Sequence, residues 1–175
     1  MQTHRVITFI ADDRPGLIED IAEVVTGHDG NWLESRMSNL AGKFAGIVHV
    51  SLPLQRITEF ESALRGLQAI GLTLLLENLQ PHGASGDVRP FRLDILGHDR
   101  PGIVREFSHA LAKRHINVFD MRSDITSAPM SADPLFTASA EIHVPTELNL
   151  DELRERLEAI ADELLIEYSL APISH

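Results

Sequence analysis

The tetrapeptide Asp-Arg-Pro-Gly occurs twice, at Asp13–Gly16 and at Asp99–Gly102, and its surroundings repeat with it. At a shift of 86, Arg5–Ile18 lies over Phe91–Val104, Asn31 over Asn117, Glu34 over Asp120 and Arg36 over Arg122. Further on Pro53 matches Pro145 at a shift of 92, so the second half carries six extra residues near Ser127–Asp133, a segment with loop composition. A chain built from two copies of one unit is expected to fold as two like units. Between them Gln80–Arg89 is rich in Gly, Pro, Ser and Asp and reads as a linker. The expected organisation is domain 1 over 1–80, linker 81–89 and domain 2 over 90–175.

Each half reads strand, helix, strand, strand, helix, strand. The first strand, near Arg5–Ala11, is apolar or β-branched almost throughout, which suits a central strand. Leu17, Ile21, Val24 and Val25 form one stripe of helix one, and Ile103, Phe107, Ala110 and Leu111 repeat it. Asn31–Leu40 reads as strand two and Ala41-Gly42-Lys43 as a hairpin turn. Strand three alternates Phe136, Ala138, Ala140, Ile142 and Val144 with polar residues. Helix two carries Phe60, Leu64 and Leu67, matched by Leu153, Leu157, Ile160 and Leu164, before fourth strands at Leu72–Leu79 and Leu165–Leu170. The fold class is therefore α+β, two ferredoxin-like βαββαβ units, each an antiparallel sheet with helices on one face. Sheet-to-sheet and edge-to-edge pairing of the units both remain open, as does homo-oligomer formation.

Charge narrows the partners. The net charge is −11, with six basic and ten acidic residues in 1–86 and nine and sixteen in 87–175. Neither half has a basic stripe, so no direct binding to nucleic acid is expected. No apolar run is long enough to span a bilayer, so no membrane partner is expected. The chain has no cysteine, which excludes thiolate chemistry and fits a cytoplasmic location. Nine histidines, among them His4, His28, His49, His98, His109, His115 and His143, show no zinc-type spacing, and neither a metal nor a cofactor is expected. Asp151, Glu152, Glu155 and Glu158 read as the solvated face of helix two.

The repeated turn carries the chemistry. It joins strand one to the N-terminus of helix one, where Pro15 suits the first helical turn and Gly16 leaves the backbone amides unscreened. Those amides and the helix dipole favour a carboxylate, while Asp13 and Asp99 could cap the helix or accept from an ammonium group. An amino acid offers both charges. Asn31 and Asn117, opening strand two, are expected near strand one's exit, where their amides would meet the same ligand. Arg36 and Arg122 recur at equivalent strand positions and read as surface ion-pair partners.

Hydrophobic strand, Asp-Arg-Pro-Gly-[Leu/Ile]-[Ile/Val], amphipathic helix, then Gly-Asn or Ile-Asn opening a strand resembles the ACT domain, a small module that binds amino acids. Two such units with little else resemble the glycine cleavage system regulatory protein family. The resemblance implies a non-catalytic sensor, with ligand held at an interface between units against one unit's first loop and another's second strand. Carried over, its ligand positions are Asp13, Gly16 and Asn31, and Asp99, Gly102 and Asn117. It also implies glycine or a similar small amino acid as ligand, and a transcriptional activator protein as partner.

Two other functions fit the topology, and a tandem ACT sensor regulating another enzyme stays open beside them. An acylphosphatase-like hydrolase would use Arg14 and Asn31, but Pro15 removes an amide from the phosphate cradle and Asp12 and Asp13 oppose a dianion. An RNA-recognition module needs stacking aromatics on its central strands, where His49, Ser51, Glu141 and His143 stand instead.

Overall fold

The computed structural model describes residues 1–79, 87–127 and 133–173. The chain divides into two compact units, Met1–His82 and Gly83–His175. The first contains β1 (Gln2–Asp12), α1 (Leu17–Gly27), β2 (Asn31–Leu40), β3 (Lys43–Pro53), α2 (Ile57–Gly66) and β4 (Thr73–Asn78). The second contains β5 (Val88–His98), α3 (Ile103–Ala112), β6 (Asn117–Ser127), β7 (Pro134–Pro145), α4 (Leu150–Leu164) and β8 (Ile166–Pro172). Each unit is the expected βαββαβ. The sheet orders are β2-β3-β1-β4 and β6-β7-β5-β8, with every neighbour antiparallel.

Strand alternation builds each core. Ile7, Phe9 and Ala11 of β1 and Val48, Val50 and Leu52 of β3 are buried with Leu17, Ile21 and Val25 of α1 and Phe60 and Leu64 of α2. In the second unit Phe91, Leu93 and Ile95 and the even-numbered residues Phe136 to Val144 meet Ile103, Phe107, Leu153 and Leu157. Helix stripes thus cover one face of each sheet, removing apolar surface from water at about 25 cal/mol per Å².

The register reproduces the duplication strand by strand. Asp12 is level with Lys43, and His98 with Leu135; Asn31 is level with Ser51, and Asn117 with His143. Even the irregularity of the edge strand recurs, between Trp32 and Glu34 and between Val118 and Asp120. The six extra residues fall between β6 and β7, where most of the expected loop lies outside the described residues. The expected linker 81–89 also lies mostly outside them, and its last two residues, Val88 and Arg89, already belong to β5.

The second helices differ. Asn149 caps α4 by accepting from the Asp151 amide at 3.0 Å, and the helix runs unbroken to Leu164. α2 stops at Gly66, a poor helix former, so Leu67 lies in a following 3₁₀ segment and still packs against the core. Gly71 and Leu165 close the two segments in left-handed conformations, φ 91° and 54°. The fourth strands therefore start one residue later than expected, at Thr73 and Ile166. Leu165 occupies this position without glycine's freedom while 79% exposed. Leu165→Gly should accordingly stabilise the second unit by about 1 kcal/mol in urea denaturation, by relieving the left-handed strain.

Candidate functional site

The two Asp-Arg-Pro-Gly turns leave the C-terminal ends of the central strands β1 and β5. Asp13 donates its amide to the Gly42 carbonyl at 2.9 Å, and Asp99 donates to Pro134 at 2.9 Å, so each turn is tied to the start of the neighbouring strand. Neither aspartate caps its helix. The N-caps are Gly16 and Gly102, with no side-chain hydrogen bond. Both adopt left-handed φ, 90° and 105°, so glycine is required by the backbone itself. The helices begin at Leu17 and Ile103, and Pro15 and Pro101 precede them instead of entering the first turn. A helix leaves its first amides without internal partners, and here the N-cap residue supplies no side chain to bond them.

The two ends are furnished differently. In the first unit Arg14 folds back, donating to Asp20 at 2.7 Å and to the Pro15 carbonyl at 3.2 Å. Its Nη1 would lie 3.7 Å from a Cβ placed on Gly16, so a guanidinium overlooks the helix N-terminus. Asp13 accepts from the Asn39 amide at 2.5 Å. In the second unit Arg100 donates instead to the Leu164 carbonyl at 2.8 Å, at the C-terminal end of α4. Nothing stands within 4 Å of a Cβ on Gly102, leaving that end open. Arg14 and Asn39 are the neighbours that sequence reasoning did not assign to the site; position 125, equivalent to Asn39, is Ile125.

Asn31 and Asn117 are not beside these turns. Asn31 is level with Ser51 and, through it, with His4, whereas Asp13 follows Asp12, level with Lys43. Eight residues of strand separate those levels, roughly 27 Å. Asn117 likewise is level with His143 and Pro90, at the far end of β5 from Asp99. The expectation that Asn meets the same ligand within one unit is therefore corrected. β1 and β2 run in the same direction on either side of β3, and α1 carries the chain back along the sheet before β2 begins. The same separation divides Arg14 from Asn31, the pair that an acyl-phosphate hydrolase would need together.

The faces of the sheets turned from the helices also differ between units. The first presents Ile10, Ile47 and Leu75, 45%, 54% and 56% exposed. At equivalent positions the second presents Leu96, Ser139 and Ser169, beside Arg92, Asp94 and Glu141 where the first has Val6, Thr8 and His49. Arg92 donates to Asp94 at 3.1 Å and to Ser139 at 3.2 Å. Partial burial works to raise the Asp94 carboxyl, but hydrogen bonds from Ser139, Arg92 and Ser169 and the Arg92 charge outweigh it and hold the carboxyl below its ordinary value. A depressed carboxyl adds stability above the ordinary carboxylate range and loses it as pH falls through the folded value. As expected, Asp151, Glu152, Glu155 and Glu158 lie on the exposed face of α4. Among the described residues no helix is long and apolar enough to cross a membrane.

Comparison with known proteins matches the two units separately. Two family models, both described as ACT domain, match residues 3–76 and 91–162. The glycine cleavage system transcriptional repressor of Escherichia coli (strain K12) is 23% identical over 178 residues, spanning 99% of this chain and 92% of that protein. A crystal structure of an unknown protein from Galdieria sulphuraria superposes with a TM-score of 0.85 at 26% identity, covering 99% of this chain and all of the other. A crystal structure described as a glycine cleavage system transcriptional repressor gives a TM-score of 0.71 at 23% identity, covering 100% of this chain and 99% of that one.

Proposed function

Because the chain belongs to the ACT-domain family in both of its halves, we propose that it is a non-catalytic regulatory protein that senses a small amino acid. The ligand class is glycine or a close relative, and the output is a contact with a protein partner, a transcriptional activator of the glycine cleavage system. The similarity to the Escherichia coli repressor supports that assignment over most of both chains.

The observation that carries the ligand class is the pair of uncapped helix N-termini at Gly16 and Gly102, each preceded by an exposed aspartate. Backbone amides and the helix dipole favour the carboxylate of a zwitterion, and Asp13 or Asp99 its ammonium group. Arg14 strengthens the carboxylate side in the first unit. Glycine is only a few ångströms long, so it cannot reach from these turns to Asn31 or Asn117 within a unit. The turn and the Asn end would then be two halves of a ligand site, and the family resemblance implies that such halves come from different ACT units.

Isothermal titration with glycine tests this reading. Asn31→Ala and Asn117→Ala should weaken binding about 10–100-fold, the range for losing a hydrogen bond to a charged group. Unchanged affinity in both variants would reject these asparagines as ligand residues. Affinity capture from a lysate should recover a transcriptional activator, in an amount that changes on adding glycine.

A further inference from the structure

Two histidines meet on the open face of the first sheet, at the end opposite the Asp-Arg-Pro-Gly turn. His4 of β1 is level with Ser51 and His49 of β3 with Val6, so the two are diagonal neighbours across the strands. His4 Nδ1 lies 2.9 Å from His49 Nε2, and the ring centroids are 5.1 Å apart with planes inclined at 41°. His4 is exposed and His49 half-buried, so solvent reaches the pair. Straight across the sheet the register runs Glu34, His49, Val6, Glu77. A carboxylate thus stands on each flank, in a chain whose net charge is −11.

We propose that His4 and His49 form a two-imidazole site for a divalent transition-metal ion of tetragonal preference, Cu(II) ahead of Ni(II). Metal–imidazole bonds are about 2.0–2.1 Å long, so two nitrogens at right angles stand about 2.9 Å apart, whereas a tetrahedral angle spreads them to about 3.4 Å. The separation of this pair, an ordinary hydrogen-bond distance, is also that of adjacent corners of a square plane. Without metal one ring nitrogen donates to the other. Binding moves that proton to the donor ring's far nitrogen, and both rings turn until their lone pairs meet at the ion. The exposed His4 ring makes the larger turn, because His49 is half-buried. Water completes the coordination, and Glu34 and Glu77 supply attraction through the field.

Among the described residues no group of three or more His, Cys, Asp or Glu is gathered as for a metal. That suits a two-ring, water-completed site, whereas structural zinc takes four protein ligands. The site belongs to the first unit, because the equivalent positions in the second are Pro90 and Glu141. Linear spacing could not show it, since 45 residues separate the two histidines.

Titration of the full, tag-free chain with Cu(II), in a buffer free of glycine and other chelating amines, tests the site. Electron paramagnetic resonance should show one ion per chain, coupled to two imidazole nitrogens, and Cu(II) should displace Ni(II). His4→Gln and His49→Gln should each weaken binding about 100-fold or more, because the second ring then no longer acts at a high effective concentration. Circular dichroism of both variants should match the parent, as neither ring lies in the core. Binding of unchanged affinity in His49→Gln would overturn the proposal and assign the ion to the amino-terminal residues.

Discussion

Phe60→Ala should remove about 3–5 kcal/mol from the first unit, the range for truncating a buried aromatic. Phe60 is 0% exposed and stands in α2 at the centre of a core closed by Ile7, Ile21, Val48 and Leu64. Its ring also meets the His28 ring edge-on, with centroids 5.8 Å apart. Domains of this size have stabilities of roughly 4–12 kcal/mol, so one substitution should remove about a quarter of the total or more. Urea denaturation followed by circular dichroism measures the loss. A change below about 1 kcal/mol would mean that Phe60 is not part of a close-packed core.

The second large effect concerns Gly97. It pairs with Phe136 on one side and Ile166 on the other. A Cβ there would stand 2.2 Å from Ile166 Cγ2, 2.7 Å from its Cβ and 3.1 Å from its backbone. Ile166 is buried and β-branched, so it has little rotamer freedom, and crowding against its main chain requires β8 itself to move. Gly97→Ala should cost about 3 kcal/mol, the upper range for overpacking. The first unit supplies the rescue, because Ala11 and Leu72 occupy the equivalent positions and are both buried. Gly97→Ala combined with Ile166→Leu should regain a large part of the loss in the same denaturation measurement. No recovery would show that the backbone, not the branch at Ile166, sets the limit.

These effects rest on features of unequal legibility in the sequence. The repeat conveys the fold almost completely, because a period-2 pattern at Phe136–Val144 and a helical stripe at Leu17–Val25 each leave one burial choice. Boundaries fail where backbone conformation outweighs hydrophobicity. Leu72 and Leu165 read as strand residues, yet Gly71 and Leu165 turn left-handed to end the preceding segment. Within the candidate site, Asp13 and Gly16 sit together because they are adjacent in sequence. Asn31 is misplaced when sequence order stands in for proximity. An eleven-residue helix rises about 16 Å, enough to return the chain toward the start of β1 before β2 begins. The contrast between Arg14 and Arg100 is not legible at all. Each guanidinium follows what its surroundings offer, Asp20 in one unit and the Leu164 carbonyl in the other.

The open faces of the two sheets give the duplication a lopsided relation to water. Ile10, Ile47 and Leu75 put exposed apolar surface around Thr8 on the first face, while Arg92, Asp94 and Ser139 hydrogen-bond one another at the equivalent place on the second. Nearly the same backbone thus carries an apolar patch in one copy and a hydrogen-bonded polar cluster in the other.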